Sequence, residues 1–115
     1  MEETLDALCR VSGIQGAMVV GRDGLMVASS GDLGGDPDLL GATTAELFTL
    51  ADSAGTERLG RGPLQLVTLE MPGGPLFMCA LDELTFLVVL LADKLSLGLA
   101  RYEVRRAAGR LREQS

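Results

Sequence analysis

The chain has 115 residues, of which 47% are apolar, and it carries a formal net charge of −6. This length suffices for one domain that buries a core without metal or disulfide staples, and the negative charge argues against binding to a nucleic-acid backbone. With three Phe, one Tyr and no Trp, the core must be aliphatic and offers no obvious stacking platform for nucleobases.

Cellular location is suggested by the cysteines and by the lengths of the apolar runs. Cys9 and Cys79 lie in apolar runs without a C-x-x-C partner, so we expect buried, reduced thiols. The N-terminal residues lack a basic segment followed by an apolar one, and the longest apolar run, residues 86–92, is far shorter than the ~20 residues that cross a bilayer. The sequence predicts one cytoplasmic domain, residues 1–115, without membrane insertion.

The first predicted elements are a helix and a hairpin. Leu5, Leu8 and Cys9 recur at helical spacing, which predicts a helix over residues 1–11. The apolar runs 17–20 and 25–28 then flank Gly21-Arg-Asp-Gly24. Neither run alternates with polar residues, so both strands should be covered on both sides by helices. The Asp-Gly pair indicates a hairpin turn rather than a phosphate-binding loop.

The second predicted helix begins with a capping aspartate, Asp36, followed by Pro37 at the first helical position. Gly55 should weaken the helix by roughly 1 kcal/mol relative to Ala, but Leu59 extends the apolar pattern, so we expect the helix to continue to that residue. One face of this helix is predicted to contain Leu40, Thr44, Leu47, Ala51 and Ala54.

Three strands and a last helix complete the predicted order α-β-β-α-β-β-β-α. Residues 64–70, 76–81 and 84–92 are joined by short links, which predicts an antiparallel meander. Pro63 at the start of the third strand suits a sheet edge. The last helix is predicted over residues 95–111.

An arginine ridge on the last helix, Arg101, Arg105 and Arg112, has two interpretations. It is either an anion-binding surface or a neutralising partner for acidic residues of the first helix, if the two helices lie side by side. The acidic residues in question are Glu2, Glu3 and Asp6.

Candidate catalytic groups are few. The absence of histidine removes Ser-His-Asp and Cys-His arrangements and the usual zinc sites. Asp82-Glu83 is interpreted as a polar turn, and the sole lysine, Lys94, does not follow a P-loop motif. Arg22, Arg58 and Arg61 are expected to be solvated. We therefore predict no catalytic, cofactor-binding or metal-ligating residues.

A homodimer is predicted from the second helix and the third strand. The helix contains the small residues 41–45, which would let another helix approach, and no charge or proline blocks the strand between Pro63 and Glu70. Together they favour a two-fold dimer with a continuous sheet; the alternative is a monomer with a shielded edge. The predicted interface residues are Leu40, Thr44, Leu47 and Ala51 on the helix, and Leu64, Leu66 and Thr68 on the strand.

Two segments, GIQGAMVVGRDGLMVASS (13–30) and FLVVLLADKLSLGLARYEVRRAAGRL (86–111), with the capped second helix and the meander, resemble the roadblock/dynein light chain domain across essentially the whole chain. The resemblance implies an α+β sandwich. Its five-stranded antiparallel sheet would carry the second helix on one face and the first and third on the other. It also implies homodimers formed through the second helix and third strand.

The function that the resemblance implies is non-enzymatic. Members of this family are adaptors: some are motor light chains, some scaffold small GTPases, and bacterial gliding-motility polarity regulators activate a Ras-like GTPase. The chain is most similar to the bacterial members, so we expect a homodimeric regulator or scaffold of a small Ras-like GTPase. The alternative is a structural adaptor without effect on nucleotide hydrolysis. A small-molecule sensor is disfavoured by the scarcity of aromatic residues.

Overall fold

The computed structural model describes residues 1–92 and 97–114. Within them lie helices α1 (Glu2–Cys9), α2 (Pro37–Ser53) and α3 (Leu97–Glu113), and strands β1 (Ile14–Gly21), β2 (Met26–Gly31), β3 (Leu66–Leu69), β4 (Leu76–Ala80) and β5 (Thr85–Leu91). This order confirms the predicted one. The predicted start of the last helix at Leu95 lies outside the described residues.

The strands form one antiparallel sheet with the order β2-β1-β5-β4-β3. The predicted meander of the last three strands is confirmed, and β3 lies at an edge as Pro63 indicated. The hairpin between β1 and β2 turns at Gly24, whose φ of 91° lies in the left-handed region that favours glycine.

Two apolar cores lie on the two faces of the sheet. Alternate residues of β1 and β5 supply each core, because successive side chains of a strand point to opposite faces. The core under α1 and α3 contains Ala17, Val19, Leu87 and Val89, and the core under α2 contains Met18, Val20, Phe86 and Val88. This arrangement confirms the expected sandwich, with one helix on one face and two on the other.

The expectation that both strands of the first hairpin are covered on both sides is wrong for β2. Met26 and Val27 are exposed, and Leu25, in the turn before them, is 69% exposed. The reason is position in the sheet: β1 is flanked by β2 and β5, whereas β2 is an edge strand. The apolar run alone does not distinguish these two positions.

The second helix continues past Gly55, as predicted, but its hydrogen-bonding pattern changes. Residues Ala54–Arg58 form a π-helical segment, closed by the Leu59 amide donating to the Ala54 carbonyl at 3.0 Å. A Cβ on Gly55 would lie 3.3 Å from the Gly62 carbonyl oxygen, so glycine lets the following loop fold back tightly against this end of the helix. Asp36 caps the other end through the Asp38 amide at 3.0 Å.

The absence of a side chain at Gly41 permits a different contact from the predicted one. We expected the small residues of α2 to admit another helix, but a Cβ on Gly41 would lie 2.8 Å from the Gly24 carbonyl oxygen. The β1–β2 hairpin of the same chain therefore approaches the helix there. Among the described residues, no helix is both long enough and apolar enough to cross a membrane.

Candidate interaction surface

The sheet face under α2 is only partly covered. The helix packs Ala45 and Phe48 against the sheet, and the Phe48 ring stacks on Phe86 with centroids 4.5 Å apart. Five strands span roughly 20 Å, whereas a helix is about 10 Å wide. Apolar side chains at the margin of this core remain half-buried; they are Val67, Leu69, Ala80 and Leu90. Val67 and Leu69 belong to β3 itself, so half-buried apolar side chains border the open edge of the sheet.

The outward face of α2 carries a second apolar surface. Leu39, Leu47 and Leu50 are 66%, 39% and 70% exposed. At about 100° per residue these three lie within one quarter of the helix circumference. The predicted interface does not include Leu39 and Leu50, although their spacing of eleven residues returns to the same face after three turns.

The predicted helix residues do not all share one environment. Leu47 is exposed and Leu40 and Ala51 are half-buried, but Thr44 is 1% exposed. The Thr44 hydroxyl donates to the Leu40 carbonyl at 2.7 Å within the helix. Thr44 therefore packs in its own protomer and has no surface left for a contact with a second copy.

The predicted strand residues lie along the edge of the sheet, but they point in different directions. Leu66 and Thr68 face the side of α3, because their β4 partners Cys79 and Phe77 belong to the core under α1 and α3. Leu64 precedes the strand; its amide donates to the Asp52 carboxylate at 2.7 Å rather than to a neighbouring strand. The strand thus begins at Leu66, two residues later than predicted.

Arg22 in the first hairpin is not the solvated arginine that we expected. Its guanidinium donates to the Asp52 carboxylate at 3.0 Å and to the Asp82 carbonyl at 3.0 Å. The same group lies over the Phe48 ring, 4.7 Å from the centroid. These contacts hold the hairpin, α2 and the β4–β5 turn together at one point.

Asp82 belongs to a turn, as its sequence context indicated. Its carboxylate accepts from the Leu84 amide at 2.8 Å, and from the Thr85 amide and hydroxyl at 2.8 and 2.9 Å. These hydrogen bonds, that of Leu84 first, hold the pKa of Asp82 below its ordinary value. The carboxylate therefore acts as an acceptor that closes the β4–β5 turn.

The two cysteines are free thiols in different surroundings. Cys79 is buried, as expected, whereas Cys9 is half-buried and its Sγ lies 3.5 Å from the Ser30 carbonyl oxygen. Desolvation raises the pKa of both thiols, and for Cys79 the neighbouring Arg112 and Arg105 oppose that effect in part. Both environments favour the protonated, unreactive thiol.

The arginine ridge of α3 does not neutralise α1. The two helices are neighbours, as shown by the Gln114 amide donating to the Thr4 hydroxyl at 2.8 Å. Among the described residues, however, no ion pair joins Arg101 or Arg105 to α1. The ridge is directed instead towards the meander, because Arg112 donates to the Leu81 carbonyl at 3.1 Å and also to the Ala80 carbonyl.

The other two ridge arginines lie beside the edge of β3. Arg101 and Arg105 line an open groove of about 600 Å³ together with Arg61, Leu66 and Thr68. Arg61 comes from the loop that follows the π-helical segment, so residues about forty positions apart in the chain form one basic surface. Of the two interpretations of the ridge, this arrangement favours the anion-binding one.

Comparisons with known proteins agree with this architecture. Residues 1–91 match the Roadblock/LC7 domain. The sequence is 36% identical over 112 residues to an uncharacterised protein of Methanocaldococcus jannaschii, a match covering 97% of this chain and 96% of that protein.

Two solved structures share the fold. A Roadblock/LC7 domain from Streptomyces avermitilis has a TM-score of 0.89 at 23% identity, covering 99% of this chain and 96% of that one. Myxococcus xanthus MglB has a TM-score of 0.90 at 21% identity, covering 97% and 91%. The match over residues 1–91 and the identity to the archaeal relative place the chain in a family: it belongs to the Roadblock/LC7 domain family.

Proposed function

We propose that this protein is a non-enzymatic, cytoplasmic homodimer that regulates or scaffolds a small Ras-like GTPase. The observation that carries the proposal is the half-covered sheet face beside an open strand edge. Membership of the Roadblock/LC7 family and the fold shared with MglB support a regulator-like role. The nature of the partner rests on the family resemblance in the sequence.

The surfaces that one protomer leaves exposed support the proposed dimer. A two-fold axis perpendicular to the sheet, next to β3, pairs the two β3 strands antiparallel and keeps both α2 helices on the same face. The second α2 then covers the half-buried apolar side chains at this edge, including Val67 and Leu69. In this arrangement Leu40, Leu47 and Ala51 contact the second helix, and Leu64, Leu66 and Thr68 lie along the paired strands. Leu39 and Leu50 extend the helix contact.

The regulatory step we propose is a bias on the switch segments of the GTPase. These segments change between ordered and disordered states with the bound nucleotide. A rigid surface built from two protomers stabilises one of those states by contacting it preferentially. Outward-facing residues of the two α2 helices that remain exposed beside the dimer contact are the surface we assign to the partner.

Two measurements test the proposal. Sedimentation at micromolar loading should show a species of twice the 12.1 kDa chain mass. Adding the dimer to a co-encoded Ras-like GTPase should change the rate of GTP hydrolysis or the nucleotide affinity. Unchanged hydrolysis and affinity with every such GTPase would contradict regulation. A GTPase that binds stably without either change would instead identify a structural adaptor.

A further inference from the structure

The basic groove beside β3 is the charged surface that the fold and the proposed function leave unexplained. The groove is lined by Arg61 from the loop before β3, by Arg101 and Arg105 from α3, and by Leu66 and Thr68 from the strand. Within residues 1–92 and 97–114, none of these three arginines forms an ion pair. In a chain of net charge −6, these three exposed guanidiniums form a basic surface that is complementary to an acidic group.

The position of Arg105 along β3 can be read from its neighbours. Arg105 lies near Gln65 and Cys79, with which it lines a smaller adjoining cavity, and Cys79 is the register partner of Leu66. Arg105 therefore stands beside the first residues of β3. Arg61 precedes the same end of the strand in the chain, so the positive charge is greatest there.

An acidic residue follows the opposite end of β3. Glu70 is exposed and comes directly after Leu69, the last residue of the strand. Successive strand residues alternate between faces. We take this alternation to continue one residue past the end of β3, which puts Glu70 on the side of α3 with Leu66 and Thr68. In one protomer, Glu70 and the Arg61 end of the groove lie at opposite ends of the same edge.

Two-fold symmetry brings these ends together. Residues directly opposite each other in an antiparallel ladder point to the same face. The two-fold axis must therefore pass beside one residue, which then lies opposite its own copy in the partner strand. An axis between two residues would pair side chains that point to opposite faces. Near the middle of β3 the residue on the axis is Val67 or Thr68. Glu70 of the partner subunit then lies opposite Leu64 or Leu66, on the side of α3. Both registers place it beside Arg61 and Arg105.

We propose that the occupant of the basic groove is a second copy of this chain, which supplies the carboxylate of Glu70 to Arg61 and Arg105. Symmetry forms this contact twice per dimer. The contact limits the β3 pair to these two registers, because an axis farther from the middle of the strand moves the carboxylate away from Arg105. This inference rests on the proposed dimer and adds to it the residues that make its edge self-complementary.

Charge exchange between Glu70 and Arg105 tests the contact. We expect Glu70→Arg and Arg105→Glu each to weaken the dimer Kd about tenfold, because every substitution acts at two symmetric sites. The double variant, with both changes in one chain, should recover to within about threefold of the unchanged protein. A mixture of the two single variants should form heterodimers preferentially, since only mixed dimers contain two opposite-charge contacts.

Three further measurements separate charge from folding. Arg110→Glu changes an exposed arginine of the same helix that borders α1 instead of β3, and it should leave the dimer Kd unchanged. Glu70→Gln preserves the shape of the side chain and should lower the dependence of the dimer Kd on salt concentration. Circular dichroism and thermal melting should show that all variants retain the fold.

The outcomes distinguish this inference from the proposed dimer. If the unchanged protein sediments as a monomer, both are overturned. If it dimerises but Glu70→Arg and Arg105→Glu leave the dimer Kd unaltered, the Glu70 contact is wrong while the dimer stands. If Arg105→Glu abolishes GTPase binding and leaves the dimer Kd unaltered, the groove belongs to the GTPase and the contact is again overturned.

Discussion

Arg22 illustrates how one side chain can connect distant segments of a small domain. Its guanidinium contacts Asp52 and Asp82, which are 30 and 60 residues further along the chain. Asp52 in turn accepts from the Leu64 amide. The first hairpin, α2, the approach to β3 and the β4–β5 turn are therefore linked through one charged pair that is about three-quarters buried.

Replacing Arg22 with Met should lower the free energy of unfolding by about 1–3 kcal/mol, because charge-assisted hydrogen bonds to Asp52 and Asp82 are lost. Arg22→Lys should be intermediate, since lysine keeps the charge but cannot donate in two directions from a planar group. Urea denaturation measures both. Arg58→Met, at an exposed position, is the control; an equal effect there would contradict a specific role for Arg22.

The turn formed by Asp82 should make stability depend on pH. The pKa of Asp82 is lowered in the folded protein, so its carboxylate stabilises the fold above the ordinary aspartate pKa, and this contribution is lost as the pH falls through the folded-state pKa. The difference in urea midpoint between the unchanged protein and Asp82→Ala should therefore shrink below about pH 4. Glu83→Ala removes the adjacent exposed carboxylate and should lower the urea midpoint less at neutral pH. If the difference in urea midpoint between the unchanged protein and Asp82→Ala does not vary with pH, the Asp82 carboxylate does not stabilise the turn.

At the scale of elements, the contact between α2 and the first hairpin depends on the absence of a side chain at Gly41. An alanine Cβ there would lie 2.8 Å from the Gly24 carbonyl oxygen, a backbone atom that cannot move without displacing the hairpin. Gly41 thus lets α2 lie close to the hairpin. Alanine has the higher helix propensity, but its side chain would not fit at this contact.

Gly41→Ala and Gly109→Ala should change stability in opposite directions. The first should destabilise by about 1–3 kcal/mol through overpacking, despite the better helix propensity of alanine. The second lies in α3, where an added Cβ meets nothing within 4 Å, and should stabilise by roughly 0.5–1 kcal/mol. Thermal and urea unfolding show whether each variant raises or lowers the free energy of unfolding. If both variants are stabilised, the contact between Gly41 and the Gly24 carbonyl has room for a methyl group.

At the scale of the whole molecule, the two faces of the sheet differ in how completely they are covered. Two helices cover one face, where two apolar strand residues, Ala28 and Leu66, stay half-buried. On the face that α2 covers alone, four do: Val67, Leu69, Ala80 and Leu90. Burial of apolar surface is the main favourable term in most protein association. In the proposed dimer a second protomer covers this face, and dissociation should leave a folded protomer with an exposed apolar surface.

Leu47→Glu should convert the proposed dimer into a monomer. A carboxylate at this position would be buried against the second helix without a partner, so the dimer Kd should weaken by roughly a hundredfold or more. Sedimentation equilibrium measures the change, with circular dichroism to confirm folding. Leu84→Glu, at a leucine that is 75% exposed in the β4–β5 turn, should dimerise normally; a Leu47→Glu dimer of unchanged affinity would place the interface elsewhere.

The sequence alone determined the order of elements, the hairpin at Asp23-Gly24, the capped start of α2 and the edge position of β3. These features depend on residues within a few positions of one another, because turn geometry, capping and helical or strand periodicity are local. The resemblance to the roadblock family also identified the arrangement of helices on the sheet, which local patterns do not contain.

Only the tertiary structure decided which side of each element faces the core. α2 is apolar on more than one side, so periodicity did not show that Thr44 is buried while Leu39 and Leu50 are exposed. Likewise, the partners of Arg22 and the common groove of Arg61 and Arg105 join residues far apart in the chain. Such contacts depend on how the strands order themselves in the sheet, which the pattern of any single segment leaves undetermined.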